Sequence, residues 1–253
     1  MYIGLERVVY ALKEFSKRFP LLRSRLKSMW VRVAPVGLRD YVKDCKPVLS
    51  DLEREHGFVF IHIPKTGGNS IRNALCPGDG VYAHFTADKY VESGVNLQRY
   101  FVFTVARNPW DRFVSAYAYL NAGGGISLDG SDLDLRFSEK YLRPYESFGD
   151  FVKALRDQPK FRRKVLAWPH FRPQYEFVYS SAGRSIVDYV AKFEKLADEY
   201  VYISKKLSLG ETDGLKVINS SDRRDYRSYY DDETRQIVAE LYRKDIELFG
   251  YEF

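Results

Sequence analysis

The chain has little cysteine: Cys45 and Cys76 are the only two in 253 residues. That excludes a disulfide framework, and no CxxC pair is present for redox or metal chemistry. The four histidines, His56, His62, His84 and His170, never approach HExxH spacing, so a structural metal site has no local ligand set. No run reaches the roughly 18 apolar residues of a membrane-spanning helix. Glu6, Arg7, Lys13 and Glu14 interrupt the first twenty residues and remove the apolar core a secretory signal needs. Both absences point to a cytoplasmic protein if the chain begins where its gene begins. Nucleic-acid-binding motifs are missing too, so the net charge of +6 reads as an attraction to anionic ligands or surfaces, with no nucleic-acid partner.

The hydrophobic fraction of 45% and aromatic fraction of 16% are enough for a soluble, well-cored domain. Residues 1–50 form a basic extension in which Leu5, Val8, Val9, Leu12 and Phe15 share one helical face. This extension reads as a helix packed on the main domain, or as a surface helix in peripheral contact with a membrane or an acidic partner. Residues 51–253 form the main domain. Its opening, "FVFIHIPKTGGNSIRNAL" (58–75), is a buried-strand run, a Gly-rich turn and a helix start. "YFVFTVAR" (100–107) followed by "NPWDRFVSAYAYL" repeats the unit, with Pro109 suited to a first helical turn. Two such units predict an α/β layer fold with a parallel sheet. Further along, 121–135 reads as a mobile Gly/Ser/Asp loop and "YESFGDFVKALRD" as a helix. "EFVYSS" and "SIVDYVAKFE" read as strands, "EKLADEYVYISKKLSL" as a helix, 210–230 as a polar loop, and "DDETRQIVAELYRKDIELFGY" as one closing helix.

The turn after the first strand carries the chemistry. A helix N-terminus offers unpaired N–H groups and partial positive charge, and glycines let the backbone approach an anion closely. Thr66, Gly67, Gly68, Asn69 and Ser70 suit that role, and Lys65 adds a full charge that can bridge onto a leaving oxygen and so take part in catalysis. The plain alternative is a tight turn with no ligand. A nucleotidase P-loop reads GxxxxGK[ST] and takes a strand-end aspartate for Mg²⁺. Here the lysine precedes the glycines, and the second strand ends in Arg107. A cation there suits a second anionic group and disfavours a metal. Ser115, two helical turns on, can close on the same anion; a salt-bridging Arg107 is the alternative. Two anion sites at the carboxyl ends of two strands fit a nucleotide phosphorylated at two places, 3′-phosphoadenosine-5′-phosphosulfate (PAPS).

"FIHIPKTGGNSI" and "VARNPWDRFVSAY" resemble the 5′-phosphosulfate loop and the 3′-phosphate strand–helix of the carbohydrate sulfotransferases, of the heparan-sulfate and chondroitin type. "PHFRPQYEFVY", "VDYVAKFEKLADEY" and the segment from Asn219 to Phe253 are similar to that family's later segments. The resemblance covers roughly residues 57–253. It implies a P-loop-like three-layer fold, a central parallel sheet flanked by helices. It implies PAPS as sulfuryl donor, with 3′-phosphoadenosine-5′-phosphate (PAP) as product. By motif, Lys65, Thr66, Gly67, Gly68, Asn69 and Ser70 take the 5′-phosphosulfate, and Arg107 and Ser115 the 3′-phosphate. The family's late polar loop falls near Asn219 to Arg224; Arg223 and Arg224 read equally as cofactor contacts or as solvated charges.

The acceptor hydroxyl needs a base, and histidine suits neutral pH with its ordinary pKa of ~6.5. His62, inside the strand, reads as buried and hydrogen-bonded. His56 lies at the wrong end of the sheet. His84, in "GVYAHFTADKY", resembles the catalytic segment of the 6-O-type enzymes with two extra residues before Ala-Asp, and is the first choice. His170 in "WPHFRPQ" is the alternative. The function expected is metal-free O-sulfation of a carbohydrate or glycolipid, neutral or anionic. Its rivals are sulfation of a peptide tyrosine or metabolite, an ATP-dependent small-molecule kinase, and a non-catalytic binding module.

Overall fold

A computed structural model describes residues 48–76, 84–125, 132–209, 215 and 224–253. The sheet is built from β1 (Phe58–Ile61), β2 (Phe101–Ala106) and β3 (Tyr189–Lys192), all parallel, in the order β1-β2-β3. Phe58 pairs with Phe101 and Phe103 with Tyr189. Successive strand side chains alternate between faces. Phe58, Phe60, Phe103, Val105 and Ala191 point to one side and pack on α2 (Gly68–Leu75) and α9 (Leu196–Lys206) through Ile71, Leu75, Tyr200 and Ile203. Val59, Ile61, Val102 and Ala106 point to the other side. There they meet Tyr90 of α3 (Ala87–Glu92), Phe177 and Val178 of α8 (Tyr175–Val178) and Phe249 of α11 (Arg243–Phe249). This is the expected α/β fold, helices on both faces of a parallel sheet.

Strand β1 is anchored from below. Ser50 and Glu53 form a capping box on α1 (Asp51–Glu55), and the Glu53 carboxylate also accepts the Phe60 N–H at 3.1 Å. Beside the sheet lies a helical body formed by α4 (Pro109–Asn121), α5 (Leu133–Tyr141), α6 (Phe148–Asp157), α7 (Pro159–Leu166) and α10 (Asp232–Leu241). Phe113 of α4 sits among Phe148, Phe151, Phe171 and Tyr242. Among the described residues no helix is long and apolar enough to cross a membrane.

Four local readings change. The first half of "EFVYSS", Glu176–Val178, lies in helix α8, where the Asp245 carboxylate accepts the Gln174 and Tyr175 N–H groups at the start of the turn; Tyr179 makes an antiparallel bridge, to Ser185. Of "SIVDYVAKFE", only Tyr189–Lys192 joins the sheet. The closing helix breaks at Tyr242, whose hydroxyl donates to the Phe171 carbonyl at 2.6 Å, and the break lets Asp245 and Phe249 turn inward. Helix α5 begins at Leu133, inside the stretch read as loop. The 1–47 helix face, Cys45 and most of the 210–223 loop lie outside the described residues; Cys76 is buried.

Candidate active site

The loop from Ile63 to Gly67 leaves the carboxyl end of β1 and enters α2. Lys65 adopts φ +69°, a left-handed conformation that costs a non-glycine residue roughly 1–2 kcal/mol. Two arginines of the second strand–helix unit hold it there. Arg107 donates from a terminal nitrogen to the Lys65 carbonyl at 2.9 Å, and Arg112 donates from Nε to the Pro64 carbonyl at 2.9 Å. Thr66 is buried with its hydroxyl on the Ile63 carbonyl at 2.9 Å. Gly67 caps α2 at φ +77° with no side-chain cap; its carbonyl accepts the Ser70 N–H at 3.0 Å, so of the first-turn amides those of Gly68 and Asn69 face an acceptor from outside the helix. A Cβ on Gly68 would stand 2.0 Å from the His62 ring, so only glycine fits there. Asn69 is exposed and Ser70 is buried. The turn thus has the form of an anion cradle.

Arg107 lies immediately after β2. It binds the Asp111 carboxylate through two nitrogens, each at 2.8 Å, and its guanidinium lies over Phe193 at 4.1 Å. Its backbone N–H and carbonyl are both held by the buried Gln174 side chain. Asp245 in turn accepts the Gln174 backbone N–H at 2.7 Å, and burial pushes its pKa up to about 6. Ser115, buried, follows Asp111 by four residues on α4 and so shares its helix face. Arg224 is exposed, at the start of the last described segment; Asn219 and Arg223 fall outside it.

Three histidines meet beside the cradle. The His62 and His84 ring centroids are 4.5 Å apart, those of His84 and His170 6.2 Å. His62 is buried against Phe60, as expected, but its Nδ1 lacks the hydrogen bond expected for it. Burial, then His84 and Arg72, hold its pKa well below the usual range. His84 keeps part of its surface exposed, and its Nδ1 lies 3.1 Å from the His62 carbonyl. A carbonyl only accepts, so Nδ1 carries the hydrogen and Nε2 the lone pair. Burial and the neighbouring His170 lower its pKa to about 4, which keeps the ring neutral and able to accept a proton at neutral pH. His170 is lowered by burial, against the upward pull of Asp134. His56 caps α1 at the opposite end of β1.

Three contributors carried no sequence signal. Arg112, buried at 2% exposure, also donates to the carbonyls of Arg172 at 2.9 Å and Pro169 at 3.5 Å. It therefore ties the His170 segment to the cradle. Tyr119 lies under Lys65 Nζ, 3.9 Å from its ring centroid, and against His170 at 4.9 Å. Asp134 was hidden in the stretch read as loop. Nothing local distinguishes these residues from ordinary helix positions.

A family model described as the Sulfotransferase family matches residues 50–252. No curated protein and no solved structure matches the chain. The matched span takes in the cradle, both strand–helix units and all three clustered histidines. The chain belongs to the sulfotransferase family.

Proposed function

We propose that the protein transfers the sulfuryl group of PAPS to a hydroxyl of a carbohydrate or glycolipid acceptor. The observation that carries this reading is the juxtaposition of an uncapped glycine cradle, a lysine and a neutral histidine at the carboxyl end of a parallel sheet. PAPS supplies an activated sulfuryl group on a phosphate leaving group. The donor residues fit that phosphosulfate by chemistry: Lys65 with the amides from Gly67 to Asn69 balances charge on the leaving oxygen. Arg107, with Ser115, takes the 3′-phosphate. His84 Nε2 accepts the acceptor's proton as the new O–S bond forms and the S–O bond to the leaving phosphate breaks. Lysine and amides supply the neutralisation, so this route needs no metal. Aromatic faces and arginines suit a sugar, neutral or anionic.

The test is a thermal-shift comparison of PAP, ADP and ATP with and without Mg²⁺, followed by labelled PAPS with a panel of acceptors. Stabilisation by PAP without metal and transfer to a sugar hydroxyl are expected. Preference for ATP with Mg²⁺ would favour the kinase reading, and transfer to tyrosine would move the acceptor to peptides.

A further inference from the structure

Asp134, in the first turn of α5, stands behind the histidines in a built cage. Its Oδ2 lies 3.3 Å from His170 Nε2 and accepts the Tyr119 hydroxyl at 3.1 Å. Its Oδ1 accepts Trp168 Nε1–H at 3.2 Å, and the Gly125 amide bonds to it as well. The glycines after α4 are shaped to this carboxylate. A Cβ on Gly124 would stand 2.3 Å from Asp134 Cβ, and one on Gly125 would stand 2.6 Å from the Tyr119 hydroxyl. The side chain keeps only 15% exposure.

Other buried acids are committed elsewhere: Asp111 to Arg107, Glu53 to Ser50, Phe60 and Arg72, Asp245 to the backbone of Gln174 and Tyr175. The titratable and charged groups facing the His84–His170 pair are His62 after β1, Lys65 in the cradle, Arg112 and Tyr119 on α4, and Asp134 on α5. Two of these are cations. Among the described residues Asp134 is the anion that opposes them. Because a carboxylate only accepts, His170 carries its hydrogen on Nε2; its Nδ1 is buried without a partner.

We propose that Asp134 is a positioning residue for the transfer: it fixes His170 as the Nε2–H tautomer beside His84 and supplies the negative charge that balances the proton His84 takes up. The role in turnover rests on the donor reading above; the effect on the histidines does not. In the step, the acceptor's proton moves to His84 Nε2, the leaving electron pair stays on the phosphate beside Lys65, and Asp134 remains ionised throughout. An imidazolium forming among Lys65 and Arg112 needs such a counter-charge. In keeping with this, Asp134 raises the proton affinity of both rings against the burial that lowers it.

The experiment is Asp134→Asn, read first by long-range proton–nitrogen NMR of the histidine rings without nucleotide. The wild type should show His170 as a single Nε2–H tautomer. The variant should show it mixed or reversed, with the pKa values of both His84 and His170 lowered. This readout needs no turnover, so it survives failure of the donor reading, which would show as a wild type that neither binds PAP nor uses PAPS. In turnover, kcat should fall ten- to hundredfold, PAP affinity should stay within twofold, and the acid limb of the pH profile should move to lower pH. Asp134→Glu should recover part of the loss. An unmoved His170 tautomer overturns the proposal. So does a fall in kcat with an unmoved acid limb and a parallel loss of PAP affinity, the signature of a purely structural residue. If Asp134→Asn does not fold, Tyr119→Phe removes one donor to the carboxylate. It should lower kcat and shift the His170 signals, and unchanged values would count against the proposal.

Discussion

His84 Nδ1 lies 3.1 Å from the backbone carbonyl of His62, so the last residue before the cradle loop sets the tautomer of a histidine twenty-two positions later. The strand that starts the anion cradle therefore also orients the proposed base.

Replacing His84 by alanine should lower turnover by roughly 10²–10⁴-fold, the usual worth of a positioned base, while PAP binding persists. A base must be neutral to act. With its pKa lowered to about 4, His84 stays neutral above that pH, so kcat/KM should hold from pH 7 down to about 5 and fall as pH drops through 4. Turnover near the wild-type level in the alanine variant, measured with labelled PAPS, would remove His84 from the mechanism.

Arg107→Ala should weaken PAP by roughly ten- to hundredfold, the worth of a charged hydrogen bond of about 1.5–3 kcal/mol, and ADP much less, since ADP has no 3′-phosphate. Calorimetry with both nucleotides checks this. The same arginine holds the Lys65 carbonyl, so equal weakening of both would identify Arg107 as a loop brace instead.

Gly68→Ala drives a methyl group to 2.0 Å from the His62 ring. Overpacking of this kind should cost about 1–3 kcal/mol in unfolding free energy. Because His62 carries His84, turnover should fall further than stability alone explains. Gly94→Ala serves as control: a Cβ there meets nothing within 4 Å, so only its φ of +72° contributes.

Asp245 is a buried carboxyl raised to about 6, above its unfolded value near 4. The folded state then binds its proton more tightly than the unfolded one, so this group's contribution to stability falls as pH rises from about 4 to 6. Asp245→Asn should consequently cost more stability, relative to wild type, at pH 5 than at pH 7. Denaturant unfolding at the two values tests the sign.

Much of the framework was legible in the chain. Two apolar β-branched and aromatic runs, each followed by turn residues and a helix start, are local patterns, and they yielded β1, β2, α2 and α4 with the cradle between. The oddity of Lys65 ahead of Gly67 and Gly68, paired with Arg107 at the next strand end, already separated this loop from a nucleotidase P-loop.

Tertiary structure decided what periodicity cannot carry. The start of "EFVYSS" is helical where Asp245, about seventy positions away, takes the N–H groups of Gln174 and Tyr175 just before it. His62, His84 and His170 are spread over more than a hundred residues, and Arg112 closes the gap by binding carbonyls of both the cradle and the His170 segment. Backbone carbonyls carry no residue-specific signal, so a side chain that recognises them leaves no pattern in the sequence. Asp134 shows the same limit: its neighbours in the chain are polar and loop-like, and its meaning comes from Tyr119, Trp168 and His170, which only the fold brings around it.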